Sequence, residues 1–178
     1  MSRLPGDPKP REAVARMIRV DHAGEYGAKR IYEGQLAILG NSPKAPVLRH
    51  MAEQELAHLR RFEELIVQRG VRPTALHPVW HVAGFALGAV TALMGERAAM
   101  ACTVAVEEVI DEHYAAQAAE LGDDEPALKA TIDQFRAEEL EHRDIGLQHE
   151  AELAPGYEIL SRVIKAGSRA AIWLSERV

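Results

Sequence analysis

Two copies of one short motif supply residue types that bind metal ions in helical proteins. In Glu55–His58 and in Glu139–His142, a glutamate is followed three positions later by a histidine. Residues i and i+3 of a helix project from the same side, so each pair can present two ligands to one ion. A carboxylate buried among apolar side chains needs a proton, a cationic partner or a metal, because its charge is otherwise costly to bury. The motif therefore indicates metal binding, provided that other helices supply further ligands.

Both motifs lie within an apolar stripe. Helical spacing predicts one helix from about residue 43 to 69 and another that runs through residues 132–153 and is broken at Pro155-Gly156. The later stripe comprises Leu128, Ile132, Phe135, Glu139, His142, Gly146, His149 and Leu153. The earlier stripe comprises Leu48, Met51, Glu55, either His58 or Leu59, Phe62, and either Leu65 or Ile66.

Two further predicted helices each carry an acid on the apolar side. In the first, over about residues 11–39, Asp21 and Glu25 share a stripe with apolar residues. In the other, over about residues 96–121, periodicity slightly favours Glu107 as the inward acid and leaves Glu108 as an alternative.

The four helices form two similar hairpins. Glu25 precedes Glu55 by 30 positions, and Glu107 precedes Glu139 by 32. Di-iron and di-manganese carboxylate bundles have the same ligand set: one glutamate from each of two helices and a Glu-x-x-His pair from each of the other two. Ligands rich in oxygen and free of thiolate suit iron or manganese better than a structural zinc. The repeat therefore predicts a di-metal centre.

Composition sets the class of protein. A length of 178 residues fits one domain, and 47% hydrophobic residues with only 5% aromatic ones indicate an all-α chain. A formal net charge of −6 argues against a nucleic-acid binder, so no nucleic-acid partner is expected. The single cysteine, Cys102, excludes an intramolecular disulfide and fits a reducing compartment.

The segments outside the four helices differ in character. Residues 1–10 are predicted to be a loose lead-in, and their prolines do not fit the apolar core of a signal peptide. Residues 79–94 are uncharged but shorter than the roughly 20 residues of a spanning helix. They form either a buried crossover helix or a helix in a membrane interface. An amphipathic helix is predicted over about residues 157–177.

Several motifs resemble the demethoxyubiquinone hydroxylases of ubiquinone biosynthesis. They are Val20–Ala28, Cys102–Glu108, Glu138–Gly146, Ala151–Pro155 and Ala170–Arg177. The resemblance covers nearly all of residues 15–178. It implies one ferritin-like di-iron domain over residues 11–178: a four-helix bundle with a long crossover through residues 71–95 and an additional C-terminal amphipathic helix.

The resemblance also implies a site and a reaction. It favours Glu107 over Glu108, and the implied ligands of two iron ions are Glu25, Glu55, His58, Glu107, Glu139 and His142. With O2 as co-substrate, such a monooxygenase hydroxylates the ring of a polyprenylated quinol at a membrane surface. His113 and Tyr114 are candidate catalytic residues, and Tyr114 either lines the substrate site or packs in the core. Glu138 either supports a ligating histidine or is solvated.

The surroundings of the reaction are less closely defined by the sequence. We expect the substrate to enter between the crossover helix and the C-terminal helix, where Ala105, Val106, Ile110 and the glycines of the first helix leave room for an apolar channel. Gly24, Gly27 and Gly34 are also predicted to permit close helix packing.

Partners and location follow from the resemblance. It implies a peripheral protein on the cytoplasmic face of a bacterial inner membrane, or on the matrix side of the mitochondrial inner membrane in a eukaryote. A homo-oligomer or a partner protein of ubiquinone biosynthesis is expected. No flavin or nicotinamide motif is visible, so a reductant, with NADH as the candidate, acts directly or through the quinone. The alternatives are a ferroxidase or iron-storage protein on the same bundle and a metal-free interaction module.

Overall fold

The computed structural model describes residues 10–178, which are almost entirely helical and contain no strand. The all-α prediction is thus confirmed. The elements are α1 (Pro10–Leu39), α2 (Ala45–Arg69), α3 (His77–Leu93), α4 (Glu96–Leu121), α5 (Pro126–Gln148), a 3-10 helix (Ala151–Leu153) and α6 (Tyr157–Ser175). The predicted lead-in lies outside the described residues up to position 9, and its last residue, Pro10, begins α1.

Helices α1, α2, α4 and α5 form the bundle. The α1–α2 and α4–α5 hairpins pack together, and α1 runs antiparallel to α4. Their direction follows from hydrogen bonds that join the start of one helix to the end of the other. Gln35, near the end of α1, donates a hydrogen bond to the carbonyl of Ala99, near the start of α4, at 3.0 Å. Gln117, near the end of α4, donates to Asp21 in the first half of α1 at 2.7 Å. This is the predicted ferritin-like arrangement, with the long connection between α2 and α4 occupied by α3.

Helix α3 lies unusually close to α1 because both contribute glycines. A Cβ atom added at Gly88 would lie 2.8 Å from the carbonyl carbon of Ile31, and one at Gly84 would lie 2.8 Å from the oxygen of Gly27. At Gly34 an added Cβ would lie 2.8 Å from the nitrogen of Ala89. The prediction of close packing is therefore confirmed for Gly34.

The prediction of close helix packing is wrong for Gly24. Gly27 does lie in a close helix contact, but its own missing side chain is not the reason. An added Cβ would meet nothing within 4 Å at either position. The backbone of Gly27 is approached closely only because its neighbour on α3, Gly84, lacks a side chain.

Helix α6 covers α4 and runs parallel to it. Lys165 forms an ion pair with Glu108, and Arg169 lies 2.9 Å from Glu112, so equivalent positions of the two helices face each other along their length. Glu108 is therefore on the outer side of α4, towards α6, while Glu107 is buried. The geometry agrees with the choice of Glu107 as the inward acid.

Two predicted helix boundaries are wrong. Helix α5 ends at Gln148, because Glu150 adopts a left-handed backbone conformation with a φ of 63° and the chain turns into the 3-10 helix. Leu153 therefore leaves the predicted stripe and is 60% exposed. Helix α2 begins at Ala45 rather than at about residue 43, since Ser42 accepts a hydrogen bond from the Lys44 amide within a turn.

An apolar surface extends over α3 and α6. We call it the α3–α6 apolar face, and its exposed members are Val79, Val82, Val90 and Leu93 on α3 with Ile159, Val163, Trp173 and Leu174 on α6. Helix α3 is buried only along one side, through Gly84, Gly88, Thr91 and Ala92. Among residues 10–178, no helix has both the length and the apolar content needed to cross a bilayer.

The glycine contact between α1 and α3 generates a stability prediction. Gly88→Ala places a methyl group against the α1 backbone, so we expect the free energy of unfolding to fall by about 1–3 kcal/mol, as in overpacked cores. The matched control is Gly167→Ala in α6, where an added Cβ meets nothing within 4 Å. Its greater helix propensity should raise stability by up to about 1 kcal/mol. Urea denaturation measures both, and equal stability of the two variants would contradict the contact.

Candidate metal centre

All six predicted ligands come together in the middle of the bundle. Helices α2 and α5 each contribute their Glu-x-x-His pair, and α1 and α4 each contribute one glutamate. Each of the six side chains is at most 1% exposed. The residues are Glu25, Glu55, His58, Glu107, Glu139 and His142.

The six residues form two overlapping groups. One group contains Glu25 and His58, the other contains Glu107 and His142, and both contain Glu55 and Glu139. Within each group the ligand-type atoms all lie within 4.8 Å of one another. Each group thus has its own histidine and its own glutamate, and two carboxylates are in position to be shared. This arrangement suits two ions rather than one.

The two imidazoles are oriented by hydrogen bonds on their outer nitrogens. Nε2 of His58 lies 2.6 Å from Glu138, and Nε2 of His142 lies 3.0 Å from the amide oxygen of Gln54. Both acceptors favour a proton on Nε2, which leaves Nδ1 free to coordinate. Nδ1 of each ring lies 3.1 Å from an oxygen of Glu139. Glu138 therefore supports a histidine, the first of the two alternatives for this residue.

Several buried carboxylate oxygens have no hydrogen-bond partner. Both oxygens of Glu55 and one oxygen each of Glu25 and Glu107 are in this position. Glu25 and Glu55 approach an imidazole at 3.4 and 3.2 Å, but without hydrogen-bond geometry. Orphaned buried oxygens are uncommon because their desolvation is uncompensated. Ions bound by oxygen and nitrogen would satisfy them, so the residues present fit a di-metal centre.

The pKa shifts of these residues show that the cluster is electrostatically unfavourable without a cation. Burial raises the pKa of Glu25, Glu55 and Glu107, and the charge of Glu139 raises it further. Burial also acts to raise the pKa of Glu139, but the two imidazoles outweigh it and lower the pKa to about 2. In turn, the carboxylates overcome the desolvation of His58 and raise its pKa to about 12.

Each of the two unshared glutamates also contacts a tyrosine. The Tyr114 hydroxyl donates to Glu25, and the Tyr32 hydroxyl donates to Glu107 at 3.1 Å. Tyr114 is 1% exposed and packs in the apolar core. No sequence pattern distinguished the hydroxyl of Tyr32.

His113 belongs to a separate polar group near the end of α4. Its Nε2 lies 3.1 Å from Asp21, which also accepts a hydrogen bond from Gln117 at 2.7 Å. Burial raises the pKa of Asp21 despite the opposing contacts of His113 and Gln117. His113 thus contacts none of the six predicted ligands through a hydrogen bond in the structure. The position of Asp21 on the stripe of Glu25 was the sequence signal for this group.

An apolar cavity of about 390 Å³ lies beside the cluster. It is lined by α1, α3, α4 and α6, so an apolar cavity is present between the crossover helix and the C-terminal helix, where we expected the substrate to enter. Gly24 and Val106 line it and are the chain neighbours of Glu25 and Glu107.

The predicted lining is only partly correct. Val106, Ile110, Gly24 and Gly27 line the cavity, but Ala105 does not. It is fully buried in a cluster with Ile31 and Ile164, which do line the cavity. Tyr114 is also absent from the lining, since its side chain points into the bundle towards Glu25. Of its two predicted alternatives, the structure therefore supports the packed core tyrosine.

The fold and the site together define a ferritin-like bundle with a buried carboxylate–imidazole centre. Comparison with known proteins narrows this class. The family described as ubiquinone biosynthesis protein COQ7 matches residues 12–175. The chain belongs to this family, as its resemblance to the demethoxyubiquinone hydroxylases indicated.

Similar proteins occur in bacteria and eukaryotes. The 3-demethoxyubiquinol 3-hydroxylase of Rhodospirillum rubrum is 62% identical over 177 residues, which cover 99% of this chain and 84% of the relative. The human NADPH-dependent 3-demethoxyubiquinone 3-hydroxylase, mitochondrial, is 58% identical, with coverage of 94% and 79%. The yeast 5-demethoxyubiquinone hydroxylase, mitochondrial, is 42% identical, with coverage of 92% and 77%.

The coupled imidazoles predict a pH dependence of the metal-free protein. The pKa of His58 and that of His142 are raised by neighbouring carboxylates. Between pH 6 and 8 the unfolded imidazoles lose their protons. Folded His58, with a pKa of about 12, keeps its proton, and the raised pKa of His142 moves its deprotonation to a higher pH than in the unfolded chain. The free energy of unfolding should therefore fall as pH rises, by up to about 1.4 kcal/mol per pH unit for each histidine.

Glu139→Gln is the control for this prediction, because it removes the charge that holds both protons. Urea titrations of wild type and variant at pH 6, 7 and 8 compare the two slopes. Because Glu139 also raises the pKa of Glu25, Glu55 and Glu107, the slope of the variant should decrease for the buried cluster as a whole. A wild-type slope equal to that of Glu139→Gln would contradict the coupling.

Proposed function

We propose that this protein is a membrane-associated di-iron monooxygenase that hydroxylates the ring of a demethoxy-ubiquinol. In this proposal, residues 11–178 act as one domain and the six clustered side chains hold two iron ions. The observation that carries it is the pair of overlapping ligand groups that share Glu55 and Glu139, placed directly beside an apolar cavity. The relatives named as hydroxylases support an oxygen-dependent hydroxylating enzyme.

The roles of the residues follow from their positions. Glu55 and Glu139, which belong to both groups, would help to hold both ions, while Glu25 with His58 would hold one and Glu107 with His142 the other. Bound iron supplies the activation of O2, with two electrons taken from a reductant. Glu138 and Gln54 hold the imidazoles in the orientation that points Nδ1 inward. The hydroxyls of Tyr32 and Tyr114 orient the two unshared carboxylates.

The cavity distinguishes a hydroxylase from a ferroxidase. Its walls are mainly apolar side chains and glycines, and it reaches the chain neighbours of Glu25 and Glu107. Its volume of about 390 Å³ is within the range of small-molecule sites. An apolar wall excludes water from the reacting ring, whereas an iron-storage protein needs a polar path for ions. The cavity therefore favours an organic substrate over iron as cargo.

The substrate and the electron donor are proposed from the relatives. The relative from Rhodospirillum rubrum is named for demethoxyubiquinol, so we assign a quinol of this class to the cavity. The human relative is named NADPH-dependent, which supports a nicotinamide donor of the same chemical class as the expected NADH. The reductant acts directly or through the quinone.

The location is proposed from the α3–α6 apolar face. Exposed Trp173 and the basic residues Arg162 and Arg169 on α6 suit a helix lying at a lipid surface. The human and yeast relatives are named mitochondrial. We propose peripheral attachment to the cytoplasmic face of a bacterial inner membrane, or to the matrix side of the mitochondrial membrane if the chain is eukaryotic.

The metal assignment predicts the iron content of variants. Wild type loaded anaerobically with Fe(II) should bind two irons per chain. Glu55→Ala and Glu139→Ala each remove a shared ligand, so both should lose most of the iron while retaining helicity. Glu141→Ala changes an exposed glutamate of the same helix and is the control. Metal analysis measures the iron content and circular dichroism measures the helicity of each variant. Two irons per chain in Glu139→Ala would contradict the assignment of these ligands.

The proposed hydroxylation predicts that an oxygen atom of O2 is incorporated into the quinol ring. Iron-loaded protein with a reductant, 18O2 and a short-tailed demethoxy-quinol should place one labelled atom on the ring, detected by mass spectrometry. Tyr114→Phe should give the same product more slowly, because the hydroxyl orients Glu25 and is not a ligand. Consumption of O2 with no label in the quinone and growth of a ferric core would favour iron storage instead.

Membrane attachment predicts the outcome of vesicle flotation. The protein should float with anionic liposomes, and Leu93→Glu combined with Ile159→Glu should abolish flotation by placing charges on the α3–α6 apolar face. These residues are 70% and 71% exposed. Val67→Glu is the control, because Val67 is 81% exposed on α2. Protein that stays in solution with anionic vesicles would favour an oligomer interface on this face.

A further inference from the structure

The two helices that wall the cavity on its outer side are held by different partners. Helix α3 packs along α1, and α6 packs along α4. Between them runs a gap, which we call the α3–α6 slit. The cavity lies behind this slit, and Trp80, Ala83 and Leu87 of α3 and Val163 and Ala171 of α6 line it from the two sides.

One side-chain hydrogen bond crosses the slit. The indole Nε1 of Trp80 donates to the hydroxyl oxygen of Ser175 at 3.0 Å. Both residues line the cavity, and Ser175 is 2% exposed. Between the described residues of α3 and α6, no other side-chain hydrogen bond or ion pair is present. The ends of the two helices are therefore joined at one point, near the start of α3 and the end of α6.

The proposed substrate, a ring with a polyprenyl tail, is larger than the cavity, so part of it must extend through the slit. A cavity of about 390 Å³ accommodates a substituted ring but not a polyprenyl tail as well. The tail must leave through a gap in the wall, and exposed apolar residues flank the slit on both sides, among them Val79 and Val163. A ring that enters along the same route has to separate α3 from α6, which the Trp80–Ser175 hydrogen bond opposes.

We propose that the Trp80–Ser175 hydrogen bond is the closure of the slit, which opens to admit the quinol ring and closes behind it. Trp80 and Ser175 are thus positioning residues that control entry and release. The proposal rests on the proposed function for the identity of the ring. Loss of one neutral hydrogen bond should increase the open population by about two- to tenfold.

A single-tryptophan protein reports on this closure directly. The chain has two tryptophans, so Trp173→Phe leaves Trp80 alone. In this background, Ser175→Ala should increase acrylamide quenching of Trp80 fluorescence. Ser161→Ala is the matched control, because Ser161 is a buried α6 serine, 6% exposed, that does not line the cavity. Equal quenching in Ser175→Ala and Ser161→Ala overturns the closure, whether or not any quinone binds.

The second measurement concerns the passage of the ring. A short-tailed quinone added to the single-tryptophan protein should quench Trp80, and stopped-flow traces give the rate constants. Ser175→Ala should raise the association and dissociation rate constants together, by about two- to tenfold. A change in affinity without this joint increase would point to a purely structural serine and overturn the proposal. Absence of quenching in all proteins would reject the quinone as the occupant and leave the acrylamide test standing.

A double-mutant cycle assigns the effect to the hydrogen bond itself. Trp80→Phe retains an aromatic ring and removes the N–H donor, so it should change kcat/KM for the short-tailed substrate by the same factor as Ser175→Ala. The double variant should match either single variant, since the bond is lost once. Factors that multiply in the double variant, or single variants that leave kcat/KM unchanged, overturn the proposal. Circular dichroism confirms that each variant is folded.

Discussion

The burial of four carboxylates in one small volume is the constraint on which this structure depends. Glu25, Glu55, Glu107 and Glu139 are each at most 1% exposed, and the imidazoles of His58 and His142 lower the pKa of Glu139 through hydrogen bonds and positive charge. Such an arrangement is unfavourable without cations. Two apolar clusters hold the helices together on either side of it, one containing Ile18, Phe62 and Ile132 and the other Leu48, Met51 and Met100. Packing away from the site thus fixes a centre that is destabilising by itself.

The bundle divides the site into two unlike sides. Helices α2 and α5 contribute the histidines and the shared glutamates, and the outer hydrogen bonds of those histidines, to Glu138 and Gln54, close that side. Helices α1 and α4 contribute one glutamate each, and their chain neighbours form the floor of the cavity. Helices α3 and α6 then complete the outer wall and carry the exposed apolar residues. The proposed metal binding, substrate access and surface attachment would therefore belong to successive layers of helices.

The sequence predicted the parts of this design that depend on periodicity. Helical spacing placed Glu25, the pair Glu55 and His58, and the pair Glu139 and His142 on apolar stripes. The choice of Glu107 over Glu108 rested on the family resemblance. Tyr32, Gln54 and the hydrogen bond between Trp80 and Ser175 were not found, since these contacts join residues far apart in the chain. The end of α5 was misplaced because an apolar residue, Leu153, continued the stripe beyond the left-handed turn at Glu150. Whether residues 11–178 act as a single domain, and whether the six residues bind iron, remain predictions.

A crystal structure of the anaerobically loaded Fe(II) protein, with anomalous data on both sides of the iron absorption edge, tests the central claim most directly. We predict two iron peaks separated by roughly 3.5–4 Å, with Glu55 and Glu139 both contacting each peak. Nδ1 of His58 should face one peak and Nδ1 of His142 the other. A single peak, or two peaks that share neither Glu55 nor Glu139, would contradict a centre built on shared carboxylates.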